Sequence, residues 1–121
     1  MHLAKARRLS IKYLKVIEDS YGYSKFHDCS PYLEFEPHLF SKYTGDDNTE
    51  AEYRFDYNSI ILYYRLIKDE QHLAETLIHE YQHYLQSPSW FTRYYNMGYS
   101  YSDHPYEIAA FNAEKDWRIV A

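Results

Sequence analysis

Two histidines four residues apart, with a glutamate directly after the first, carry the chemistry of this chain. They lie in Thr76-Leu-Ile-His79-Glu80-Tyr-Gln-His83-Tyr-Leu85. On an α-helix, positions i and i+4 share one face about 6 Å apart, so both imidazoles can reach a single ion. Zinc accepts imidazole nitrogen at about 2.0–2.1 Å. A carboxylate beside the first histidine can reach a water on that ion. The ion lowers the pKa of such a water to about 7. Glu80 can then take its proton and pass it to a leaving amine. With 7 His and 10 Glu in 121 residues, chance produces H-E-x-x-H somewhere with a probability of roughly 3%.

A catalytic zinc needs a third protein ligand and an open position. Downstream candidates are Asp103, His104, Glu107 and Glu114. Glu107 falls in the first turn of a last helix that starts near Pro105, with Ala110 one turn on. A helix so placed can cross the first and aim a carboxylate at the two imidazoles. The competing role for Glu107 is capping: with His104 at the N-cap and Pro105 at the first position, Glu107 sits where a capping box closes. Gln86 and Ser89 occupy the places where a metzincin would carry glycine and a third histidine.

The elements that must position these residues are legible in part. Leu3, Ala6, Leu9, Tyr13, Val16/Ile17 and Tyr21 recur at helical spacing over residues 2–20, with Lys5, Arg8, Lys12 and Lys15 opposite and Gly22 as a stop. Residues 32–36 alternate and end at Pro37, a short strand. Residues 43–50 are turn-rich. Tyr53, Phe55 and Tyr57 alternate with Glu52, Arg54 and Asp56; Asn58-Ser59 makes a tight turn, and Ile60 to Tyr64 returns as a more buried strand. Residues 69–86 form the helix that carries the histidines. It is capped by Asp69, striped by Leu73, Ala74, Leu77, Ile78, Tyr81 and Leu85, and ended by Ser87-Pro88. Residues 89–103 read as an aromatic loop with room for one short helix, before the last helix runs from Pro105 to about Arg118. The class is α+β: an N-terminal helix, a small three-stranded mainly antiparallel sheet, and two further helices.

Length and composition bound the rest. A chain of 121 residues is one domain, 1–121. No run of 18 apolar residues crosses a membrane, and no apolar signal core follows the basic start, so the sequence points to a cytoplasmic protein. One cysteine, Cys29, excludes an intrachain disulfide and a Cys-rich zinc site; it reads as a small packed thiol. Net charge is −5. The first twenty residues are basic, so the acidic surplus sits in the body, which argues against nucleic acid as a partner. The sixteen tyrosines supply apolar area with a polar tip. His2, His27 and His38 read as surface or loop residues, and His72, seven before His79, as a possible neighbour of the site.

Thr76-Leu-Ile-His79-Glu80-Tyr-Gln-His83 followed by His104-Pro-Tyr-Glu107-Ile-Ala-Ala resembles the gluzincin zinc metallopeptidases. It is most similar to their one-domain members, the minigluzincins, and to ImmA/IrrE-type peptidases. The motif covers residues 76–113, and the order of elements matches a zincin-like fold. The resemblance implies His79, His83 and Glu107 as ligands of Zn2+, Glu80 as general base, and a last "glutamate helix". It also implies an outer strand that binds substrate in extended form, by position Ile60, Ile61, Leu62, Tyr63 and Tyr64. A tetrahedral oxyanion needs a further donor; Tyr99, Tyr101 and Tyr106 lie near the third ligand in sequence. The chain departs from the family where Phe111 replaces an aspartate four residues after the glutamate. That leaves Asn112 and Glu114 as candidate partners of the first histidine. The expected activity is hydrolysis of peptide bonds in a restricted peptide or protein target. The alternatives are a peptidase-like zinc scaffold that only binds protein, and a centre with His104 as third ligand, as in SprT-like proteases.

Overall fold

The computed structural model describes residues 1–38 and 48–121. Among the described residues the chain is α+β, with four α-helices and one three-stranded mixed sheet. Helix α1 spans Leu3–Tyr21 and ends at Gly22, whose φ of 79° lies in the left-handed region open to glycine. Strands β1 (Tyr32–Glu36), β2 (Ala51–Arg54) and β3 (Ser59–Tyr63) follow, then helices α2 (Glu70–Leu85), α3 (Pro88–Asn96) and α4 (Pro105–Ala113), and a terminal 3-10 segment, Glu114–Val120. No described helix is long and apolar enough to cross a membrane.

The sheet corrects the expectation of a mainly antiparallel arrangement. Its order is β1-β3-β2; β3 pairs antiparallel with β2 and parallel with β1. The chain leaves β1 and enters β2 at the same end of the sheet, with a gap one strand wide between them. The hairpin then returns β3 into the gap, which makes it parallel to β1. All five residues of β3 are buried, as expected of a strand covered on both faces and flanked on both sides. The β2–β3 turn rests on Asn58, at φ 48°, a conformation asparagine tolerates. Its side-chain amide donates to the carbonyls of Cys29 and Ser30 and its oxygen accepts from Tyr53. The predicted turn-rich loop 43–50 lies outside the described residues up to 47; 48–50 are irregular.

The core joins Ala6, Leu9, Tyr13, Leu14 and Ile17 of α1 to Ile60 and Leu62 of β3 and to Leu73, Ala74, Leu77, Ile78, Tyr81 and Tyr84 of α2. Lys5, Arg8, Lys12 and Lys15 face solvent. Tyr81 and Tyr84 are fully buried, and their hydroxyls donate to the carbonyls of Gly22 and Cys29. The rings fill the core while the hydroxyls donate to carbonyls of the segment after α1. Cys29 itself is exposed, not packed.

α2 is therefore buried on two faces. Its apolar stripe meets α1 and β3. Its opposite face, with Thr76, His79 and Glu80 buried, meets β2 and α4.

Candidate metal centre

Asp69 starts α2 by accepting the amide of His72, which fixes where the next two turns point. His79 and His83 then lie one turn apart, their ring centroids 5.1 Å from each other. α4 starts at a clasp. His104 is its N-cap: Nδ1 accepts the amide of Tyr106 at 3.1 Å, and Nε2 donates to the Phe91 carbonyl of α3 at 2.9 Å. The ring is fully buried against Phe91 and Tyr95. Pro105 occupies the first turn, and Glu107 is directed at the two imidazoles instead of closing a capping box.

His83 Nε2 lies 2.5 Å from Glu107 Oε1, and His79 Nε2 lies 3.5 Å from Oε2. One ligand atom from each of the three residues falls within 4.8 Å of the others. The backs of both rings are held by oxygen. His79 Nδ1 lies 2.9 Å from Glu114 Oε2, and His83 Nδ1 lies 2.7 Å from Gln86 Oε1. The Gln86 amide in turn donates to the Tyr106 carbonyl, tying the end of α2 to the start of α4. With Nδ1 donating to Gln86, a neutral His83 turns the lone pair of Nε2 toward Glu107. Two acceptors at 2.5 Å repel unless a cation or a proton lies between them.

The buried oxygen Oε2 of Glu107 has no hydrogen-bond partner, an orphan that a cation would satisfy. Two imidazoles, one carboxylate and hydrogen-bonded rear nitrogens suit a divalent transition metal. His79, His83 and Glu107 could hold such an ion.

Electrostatics agree with the geometry. Burial raises the Glu107 carboxyl, but the facing imidazoles of His79 and His83 outweigh it and hold its pKa far below the ordinary range. Burial opposes protonation of His79, yet Glu107 and Glu114 outweigh it and raise its pKa to about 10 in the metal-free chain. Glu80 is buried beside both histidines, and loss of solvent raises its pKa.

The residues open onto two clefts. The larger, about 550 Å³, is bounded by Ala51, Tyr53 and Phe55 on one side and Pro88 and Phe91 on the other. The smaller, about 250 Å³, is bounded by Glu50, Thr76, Phe111 and Glu114. His79, Glu80 and Tyr101 line both. Tyr101 faces the Glu107 carboxylate, and burial together with that charge raises its phenol pKa.

Several expectations are corrected here. Ile60 to Tyr64 is not the strand beside the centre. Ile60–Tyr63 belong to the central, fully paired β3, and Tyr64 begins a 3-10 turn. The strand beside the centre is β2, an edge strand among the described residues. Tyr99 packs on Tyr94, and Tyr106 on Phe91 and Tyr94; neither lines a cleft, so Tyr101 alone of the three reaches the centre. His72 pairs with Glu50 at 2.8 Å instead of joining the site. Asp103 accepts from Ser100. Asn112 is exposed, and Glu114 is the partner of His79. Gln86 was missed, although three residues after His83 is one helical turn and thus within reach. The aromatic stretch contains a regular helix, α3, capped by Ser87.

No family model, no curated protein and no solved structure matches this chain.

Proposed function

We propose that the chain is a zinc metallopeptidase with a minimal zincin-like architecture, cleaving a restricted peptide or protein target. What carries this reading is the convergence of His79, His83 and Glu107 around an unsatisfied buried oxygen, with a second buried carboxylate, Glu80, beside them. A purely structural metal site has no use for Glu80. Zinc is the ion this donor set suits best; when bound, it would polarise a carbonyl and acidify a water.

The remaining steps belong to the chain. Glu80, with its basicity raised by burial, accepts a proton from the attacking water and returns it to the leaving nitrogen. Tyr101 borders both clefts, so its hydroxyl can donate to the oxyanion that develops as the carbonyl is attacked. Among the described residues β2 lies at the edge of the sheet, where an extended substrate can find main-chain hydrogen bonds.

The test uses protein purified without a metal-affinity tag. Metal content is read by plasma mass spectrometry and cleavage by mass spectrometry of a peptide library. About one zinc per chain is expected, retained in Glu80→Gln and lost in Glu107→Ala, with cleavage abolished in both. Zinc retained by Glu107→Ala would sink the ligand assignment. Unchanged cleavage by Glu80→Gln would sink the mechanism. Zinc binding without cleavage of any peptide would leave the chain as a zinc-holding binding scaffold.

A further inference from the structure

The smaller cleft beside the candidate centre, about 250 Å³, has a chemistry of its own. Carboxylates of Glu50, Glu80 and Glu114 border it, and among the described residues no lysine or arginine does. Two of the three are held in place. His72 Nδ1 accepts the Lys68 amide, so Nε2 carries the proton and meets Glu50 Oε2 at 2.8 Å. Glu114 Oε2 lies 2.9 Å from His79 Nδ1. Each therefore has one oxygen engaged within the protein, while its Oε1 makes no hydrogen bond among the described residues.

A buried hydroxyl adds to them. Thr76 is 7% exposed, borders this cleft and not the larger one, and its hydroxyl has no hydrogen-bond partner among the described residues. Buried polar groups are ordinarily paired, so such a hydroxyl marks a place for a polar ligand. Tyr101 and Phe111 complete the wall, their rings perpendicular with centroids 6.5 Å apart. Aromatic faces attract cations. An anion in this cleft would meet carboxylates. A purely apolar group would strip water from them and return no bond. An ammonium brings a counter-charge and three donors, for which the second oxygens of Glu50 and Glu114 and the Thr76 hydroxyl are acceptors.

We infer that this cleft takes an ammonium group of the substrate, carried by a lysine side chain or by the amino terminus of the chain being cut. The inference rests on the metallopeptidase reading above, so its test is read by binding and not by turnover. The two sources differ in consequence. A side-chain ammonium directs cleavage beside lysine, whereas a terminal one directs removal of residues from the amino end.

Two pairs of hydroxamates are titrated against zinc-loaded full-length chain by calorimetry at constant pH, with zinc content measured in the same sample. One pair carries aminobutyl or its uncharged isostere n-pentyl as the side chain. The other is alanine hydroxamate with its α-amine free or acetylated. In at least one pair the ammonium member should bind about tenfold more tightly than its uncharged partner, and added salt should shrink that advantage. Glu50→Gln keeps an acceptor for His72 and removes the charge; Thr76→Val removes the hydroxyl at nearly constant shape. Each should cut the advantage severalfold and leave the affinity of the uncharged partner as it was. An advantage in the first pair identifies a lysine side chain, and one in the second the amino terminus. No advantage in either pair, or one that both variants retain in full, would overturn the inference while leaving the metal centre standing. No binding by any member to zinc-loaded protein would remove the peptidase reading with it.

Discussion

Glu114 offers the sharpest perturbation of the centre, because it stands outside the candidate ligand set and meets His79 from behind. Its carboxylate holds Nδ1 at 2.9 Å, which fixes the ring so that Nε2 faces Glu107. Its side chain is 24% exposed, so removal leaves a site that water can partly refill. Loss of such a rear hydrogen bond typically weakens metal binding 10–100-fold, or roughly 1.4–2.7 kcal/mol. For Glu114→Ala the lower half of that range is expected, since water can replace the acceptor. Glu114→Gln keeps an acceptor without the charge and should fall between wild type and Ala. The assay is competition for zinc against a chromophoric chelator at constant pH. Circular dichroism confirms that α2 and α4 persist. A Glu114→Ala affinity within about threefold of wild type would refute the claim that this carboxylate orients His79. A Gln variant as weak as Ala would show that charge, not ring orientation, is what Glu114 supplies.

Gln86→Leu removes the acceptor behind His83 and the tie to Tyr106; zinc affinity should drop about tenfold, and an unchanged affinity in the same competition assay would discount the tie. His104→Ala takes away an N-cap and the bond to the Phe91 carbonyl. It should lower stability by about 2 kcal/mol in urea denaturation and still bind one zinc; loss of all zinc with the fold intact would make His104 a ligand after all. The metal-free chain should be most stable between pH 4.5 and 6.5. Folding raises the pKa of His79 from 6.5, so its contribution is complete below 6.5 and is lost as pH rises toward about 10. Folding depresses Glu107 from 4.5, so its contribution is complete above 4.5 and is lost as pH falls further. Urea midpoints of apoprotein that rise steadily from pH 6.5 to 9 would contradict this assignment.

Much of the centre was readable because its logic is local. Asp69 as a cap, the i,i+4 pair His79 and His83, and Pro105 before Glu107 all follow from one-turn geometry. Gln86 obeys the same geometry, one turn beyond His83, and could have been found by asking what each imidazole's second nitrogen meets. Glu114 lies seven residues after Glu107, two turns along the same face, which periodicity also allows. The sheet was harder. Alternation in Tyr53–Tyr57 outruns the strand, since β2 ends at Arg54 and Phe55 and Tyr57 are exposed in the turn, and alternation says nothing of which strand is the neighbour. The uninterrupted Ile60-Ile61-Leu62 did carry the missing signal, since a run without alternation marks a strand enclosed on both sides. Taking it as the outer strand moved the substrate edge from β2 to β3. The role of Tyr101 was not separable from Tyr99 or Tyr106 by sequence, because nearness along a loop says nothing about which hydroxyl turns inward.

The burial of three carboxylates explains why a chain this small can build such a centre. Glu80 and Glu107 are almost inaccessible, and Glu114 is mostly covered. They face the imidazoles of His79 and His83, and their charge outweighs burial in raising the pKa of His79 to about 10. The three carboxylates outnumber the two imidazoles, and buried charges left short of a counter-charge destabilise a fold. A divalent cation held by His79, His83 and Glu107 would supply counter-charge there. Metal binding and folding would then be linked, with stability rising as the ion saturates. The opposite face of α2 is packed into the apolar core, which holds the two histidines in place. A single helix therefore serves as both core element and scaffold for the candidate ligands, while Gln86 ties its end to the start of α4, which His104 caps.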